Sequence, residues 1–230
     1  MSVNPHYFSN FWLIVGLLVY AGVLVSALRS AQWRRLLNPD DLNVILYAML
    51  GVFFLWSMNA DIPARQTLTE LNFHLLGATL MTLMFGWAFA ILAMSAVLTT
   101  VTLMASHGDF TSLLTLPWNA LATCVLPVLI SYHLFRIVDR RLPNHFFIYI
   151  FICAFFGAAL SMAGAILTTS GIHYLSGSLS FARLTYTYLP YGLILMLPEA
   201  FINGMLMTVF VAYRPEWVST FDDQRYLKNH

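Results

Sequence analysis

Long apolar runs, parted by short polar or charged breaks, dominate the chain. They cover about residues 11–28, 42–58, 71–85, 88–106, 120–138, 145–172 and 189–213. Most approach the roughly 20 apolar residues that cross a bilayer core as a helix. The breaks carry charge or helix breakers: Arg29, Arg34 and Arg35 after the first run, Pro39-Asp40-Asp41 and Asp61-Ile62-Pro63 around the second, Asp139-Arg140-Arg141 after the fifth. Only Gly86-Trp87 parts the third run from the fourth. The pattern predicts an all-α polytopic membrane protein of about seven transmembrane helices, forming one integral membrane domain over residues 1–230.

Composition agrees. Sixty percent of residues are hydrophobic and 9% are charged, against about 25% charged in a soluble domain. That is too little charge to cover a surface facing water, and lipid removes the need. Eleven basic residues against ten acidic ones form no stripe that would suit nucleic acid. Cys124 and Cys153 fall inside apolar runs, where small packing residues are expected rather than a disulfide. The opening MSVNPHYFSN lacks the basic stretch of a cleavable signal peptide, so the first run is expected to remain as a membrane helix.

Lysine and arginine set the orientation. With seven crossings and the N-terminus outside, Arg29, Arg34, Arg35, Arg136, Arg140, Arg141, Arg214, Arg225 and Lys228 fall inside, and only Arg65 and Arg183 outside. Merging the third and fourth runs would set the Arg29–Arg35 and Arg136–Arg141 clusters on opposite sides and abolish the bias. The charges therefore predict seven crossings, N-terminus out and C-terminus in.

Few groups in such a chain can carry chemistry. Four histidines, His6, His74, His107 and His173, fall at the outer face in this arrangement. Imidazole suits late first-row metals, and it also serves as an interfacial group bonded to water or backbone. No pair has the spacing of a helical metal motif. Asp109, two residues after His107, either orients a ligand or caps a turn. Asn119 opens the fifth run, as an N-cap or a site residue. Glu199 is the one carboxylate deep in a run; its expected partner is Asn203, one turn on, and the alternative is a proton or transport role. Pro127, Pro190, Pro198 and the glycines of Gly157–Gly164 either pack helices closely or bend them around a cavity. No Walker-type loop is present, so ATP hydrolysis is not expected of this chain.

Three stretches carry a resemblance: NFHLLGATLMTLMFG from Asn72, ASHGDFTSLLTLPWN from Ala105 and LPEAFINGMLMTVFVAYRPEW from Leu197. Over about 72–217 the chain resembles the CbiM/NikM type of substrate-capturing membrane subunit in energy-coupling-factor transporters for cobalt and nickel. His74, followed by Gly77, stands where that family has its Ser-His-Pro-Thr-Gly histidine, with Phe73, Leu75 and Leu76 replacing the motif's Ser, Pro and Thr. Ser106-His107-Gly108-Asp109 resembles the Gly-His-Gly-Gly loop. Trp118-Asn119-Ala120-Leu121 resembles Gly-Ala-Asn-Val with Asn119 in register, and Arg214-Pro215-Glu216 matches the Arg-Pro-Glu after the last helix. Family members begin Met-His, and their terminal amine, second amide and imidazole join the motif histidine in a planar four-nitrogen site. This chain begins Met-Ser-Val-Asn-Pro-His. A chelate through successive amides cannot run through Pro5, which has no N–H, so His6 is left to offer its imidazole.

The resemblance implies a transition-metal transport component in the bacterial inner membrane. His74, His107 and His6 would be the metal ligands, with Asp109, Asn119, Glu199 and Asn203 supporting. It implies no permanently bound cofactor and a transported divalent ion of nickel, cobalt or copper, since planar nitrogen ligation disfavours zinc. The implied partners are an energy-coupling-factor transmembrane subunit and cytoplasmic ATPases, with membrane lipid around and no nucleic acid. Two alternatives differ in class. One is an intramembrane enzyme of metalloprotease type using Glu199 and a histidine, which would need those groups at one depth; Glu199 is expected deeper than His74 and His107. The other is an assembly factor without metal transport.

Overall fold

The computed structural model describes residues 8–57, 75–106, 110–222 and Tyr226. Among them six helices are long and apolar enough to cross a membrane. They are α1 (Asn10–Ser30), α2 (Pro39–Ser57), α3 (Ala78–Ala105), α4 (Leu116–Arg141), α5 (Phe146–Leu175) and α6 (Leu189–Tyr213). No strand occurs among the described residues.

Helix α3 is two helices joined at Gly86, whose φ of 80° and ψ of 164° lie outside any helix. The break falls at the Gly86-Trp87 step that parts the third and fourth apolar runs. Before it stands an arm of eight residues, 78–85, about 12 Å long and too short to cross a bilayer alone. After it, residues 87–105 form a full-length span. Contacts give the directions. Gly16 of α1 abuts Trp118 at the start of α4, so those two helices run parallel. Gly164 abuts Ile130 and Gly157 abuts Leu134, so α5 runs against α4; Gly192 abuts Ile166 and Gly204 abuts Phe155, so α6 runs against α5. Helix α6 is therefore parallel to α1. The first arm of α3 lies parallel to α6, with Leu76 and Gly77 beside Glu199 and Leu80 beside Asn203. The second arm runs against α1, with Ser95 facing Tyr20 and Phe89 against Trp33. Gly86 thus reverses the chain, and seven helical segments result.

The same glycine contacts let helices approach closely, the packing that lipid favours where no hydrophobic force draws helices together. Two wide turns, Leu121–Val125 and Leu184–Tyr188, each precede a proline by two residues. Pro127 and Pro190 donate no hydrogen bond and push away the carbonyl one turn back, so the preceding turn loosens. Helix α6 starts earlier than its apolar run suggests, because residues 181–188 are already wound. Cys124 and Cys153 are buried and unbridged, as expected.

Large apolar side chains such as Leu18, Tyr47, Phe54, Leu193 and Phe201 are exposed. On a soluble protein such a surface would aggregate; on a membrane protein it faces acyl chains. Of the described arginines, Arg29, Arg34, Arg35, Arg136, Arg140, Arg141 and Arg214 follow or end α1, α4 and α6, hence one face. Arg183 lies at the other. The chain is an integral membrane protein with all but one of its described arginines on one side.

Candidate metal-capture site

The short arm of α3 presents the N-terminus of a helix inside the membrane, and its first N–H groups have no partner within the helix. Water is absent at that depth, so protein must supply acceptors. Glu199 and Asn203, one turn apart on α6, supply them. Glu199 Oε2 accepts the Leu76 N–H at 2.8 Å and Oε1 the Gly77 N–H at 2.8 Å. Asn203 Oδ1 accepts the Leu80 N–H at 2.9 Å. Asn203 Nδ2 donates to Glu199 Oε1 at 2.9 Å and to the Glu199 carbonyl at 2.7 Å. The Glu199–Asn203 bond expected from their spacing is present. The carboxyl oxygens also stand at the positive pole of the arm's dipole.

From the other side, the Trp56 indole N–H of α2 donates to the Leu75 carbonyl at 3.0 Å. Three consecutive residues, Leu75 to Gly77, are therefore fixed by side chains from two helices. Gly77 has φ 67°, a left-handed conformation that a glycine adopts without strain. Two residues on, Thr79 Oγ1 lies 2.7 Å from Ser131 Oγ, which lies 2.5 Å from Ser161 Oγ; Ser161 donates to the Pro127 carbonyl at 2.9 Å. This buried hydroxyl cluster locks the arm to α4 and α5. A cavity of about 330 Å³ opens between α2, the arm and α6, with Glu199 and Asn203 in its wall and otherwise apolar lining. Glu199 is the one carboxylate lining it, with no histidine or cysteine beside it, so among the described residues the cavity offers no set of metal donors.

Of the candidate residues, His6, His74, His107 and Asp109 lie outside the described residues. Among the described residues no three His, Cys, Asp or Glu side chains gather as a metal site. Asn119 is buried, but it does not open its helix: α4 begins at Leu116 with Thr115 in the capping position, so Asn119 sits one turn inside. Around it Trp118 donates to the Trp12 carbonyl at 3.0 Å and stacks on Phe8. His173 is buried, with Nδ1 2.7 Å from Ser178 Oγ. His133 and His145 bond locally, to the Leu129 carbonyl and the Phe147 N–H.

Glu199 is expected deeper than His74 and His107, and that comparison falls outside the described residues; within them its carboxylate bonds the amide of Leu76. Sequence reasoning missed Trp56 and the role of Glu199 as a cap supplied by another helix. The only available signal was a carboxylate and an amide at i, i+4 in a run that needs neither.

Six helices able to cross a membrane and one reversed half-helix with buried polar caps define, among the described residues, a polytopic membrane protein. The chain belongs to the CbiM family, the cobalt uptake substrate-specific transmembrane region, whose model matches residues 3–217. Among solved structures it is similar to one described as a truncated transition metal transporter, with TM-score 0.68 and 19% identity over 93% of this chain and 99% of that one. That similarity extends to the fold. No curated protein matches the chain.

Proposed function

We propose that the chain captures a divalent transition-metal ion at the face opposite its arginine cluster and passes it into the membrane, as the substrate-binding component of a multi-subunit uptake system. The family, named for cobalt uptake, supports this reading. His74, His107 and the His6 imidazole are the ligands, Asp109 is the compensating carboxylate, and Asn119 backs the site from α4. Nickel, cobalt or copper fits nitrogen donors of this kind better than calcium or magnesium does. With Pro5 in the N-terminal segment, the amide chelate of the family pattern is replaced by separate imidazoles.

The observation that carries the proposal is the clamp on Leu75–Gly77. Metal ligands need an orientation fixed by the groups behind them. Glu199 and Trp56 hold the backbone beginning one residue after His74, and that is the service Glu199 and Asn203 perform. The arginine cluster faces the cytoplasm by the positive-inside rule, which sets the N-terminus outside in the bacterial inner membrane. The other subunits are an energy-coupling-factor transmembrane protein and cytoplasmic ATPases, because this chain carries no nucleotide loop of its own.

Metal analysis of purified protein after exposure to nickel or cobalt tests the proposal. One bound equivalent, lost in His74→Ala, is the expected result. A wild-type protein that retains no metal and shows no heat of binding overturns it.

A further inference from the structure

The reversal at Gly86 leaves a second helix end in need of partners. The last carbonyls of the short arm have no N–H ahead of them in their own helix. The segment after α6 supplies the donors. Ser219 N–H donates to the Met84 carbonyl at 3.0 Å, and Thr220 N–H to the Leu83 carbonyl at 3.3 Å. The Thr220 hydroxyl reaches the same Leu83 carbonyl at 2.7 Å and stands 2.7 Å from the hydroxyl of Tyr149, a fully buried residue of α5. Val218 and Phe221 are buried beside it, and Phe221 packs edge-on against Tyr149, ring centroids 5.1 Å apart. The arm is therefore tied at both ends to one stretch of chain: Glu199 and Asn203 hold its start, and Ser219 and Thr220 hold its finish.

Both ties are buried: Leu76 and Leu83 are 0% exposed and Met84 2%, so the loss of either leaves backbone groups of the arm without a partner.

We propose that residues 218–221 form a cap on the short arm, and that Ser219 and Thr220 are positioning residues for metal capture on the opposite face. With the cap seated, the eight-residue arm is held from both ends and the Leu75–Gly77 clamp keeps one geometry. Without the cap, the arm is held only at its Glu199 end and its last turn frays. This extends the capture reading for its metal readout, while the cap itself is measured without metal.

The test uses the full chain in lipid nanodiscs, with hydrogen–deuterium exchange over residues 78–90 and nickel titration. Thr220→Val, which removes the hydroxyl that bonds Leu83 and Tyr149, is expected to speed exchange at the end of the arm and weaken nickel binding, each by about tenfold, the factor for a hydrogen bond of ordinary strength. Thr220→Ser keeps the hydroxyl and restores both. Thr208→Val removes a hydroxyl that bonds only its own helix, at the Gly204 carbonyl, and moves neither. Unchanged exchange in Thr220→Val overturns the cap, and so does faster exchange that serine fails to restore. Faster exchange with unaltered nickel affinity overturns the positioning role. If wild-type protein takes up no nickel, the capture reading and the positioning role fail together, and the exchange result alone judges the cap.

Discussion

Gly77 donates its backbone N–H to Glu199 Oε1 at 2.8 Å, although the two residues are 122 positions apart. The bond joins the start of a half-helix to the middle of the last membrane helix. It accounts for two oddities at once: a carboxylate in an apolar helix, and a helix that begins where no water can satisfy its first amides.

Glu199→Gln keeps one acceptor oxygen but turns an –NH₂ toward a backbone N–H, because both carboxylate oxygens now accept from the arm. It is expected to cost about 1–3 kcal/mol. Glu199→Leu leaves the Leu76 and Gly77 amides both unpaired in hydrocarbon and is expected to cost more than the glutamine variant. Thermal unfolding in detergent ranks them. Equal melting points for Leu and wild type would remove the capping role.

Gly86→Ala tests the reversal of α3. A Cβ there meets nothing within 4 Å, so any effect is conformational and not a clash. At φ 80° and ψ 164° a side chain is strained by about 1–3 kcal/mol, enough to lower the yield of folded protein. Gly77→Asn, at φ 67° and ψ 8°, occupies a region asparagine tolerates and is expected to cost less. Folded fraction after size-exclusion chromatography compares the two.

For the proposed metal site, His74→Ala is expected to abolish binding. His145→Ala, whose ring caps α5 by accepting the Phe147 N–H, is expected to leave binding intact and cost about 1 kcal/mol in stability. Acid should release metal, because a protonated imidazole cannot ligate. Calorimetric titration of both variants across pH checks this, and equal binding by the two would discard His74.

Because α1 and α6 run parallel, the two ends of the helical bundle open on opposite faces. A fluorescent protein that matures only in cytoplasm, fused after His230, is expected to light up. A periplasm-restricted reporter at the same position should stay silent, and the reverse pattern would invert the orientation.

What the sequence determined by itself was the membrane class, the positions of the spans and the gathering of arginines on one side. These follow from local quantities, hydropathy over some 20 residues and charge in the adjoining loops, which lipid and water act on directly. It also marked Gly86 as a break and singled out Glu199, Asn203 and, through family resemblance, His74. Tertiary structure decided what the break does and whom the polar groups serve. Hydropathy alone does not tell a kink at Gly86 from a reversal; the arginine distribution predicted the reversal, and α6 lying along the first arm with α1 against the second shows it. Glu199 was legible as an expensive residue, but its partners Leu76 and Gly77 are backbone groups of ordinary residues, and backbone hydrogen bonding across more than a hundred positions leaves no mark on the side chains that receive it. Trp56, Ser219 and Thr220 were invisible for the same reason, since each bonds a carbonyl that any residue would provide.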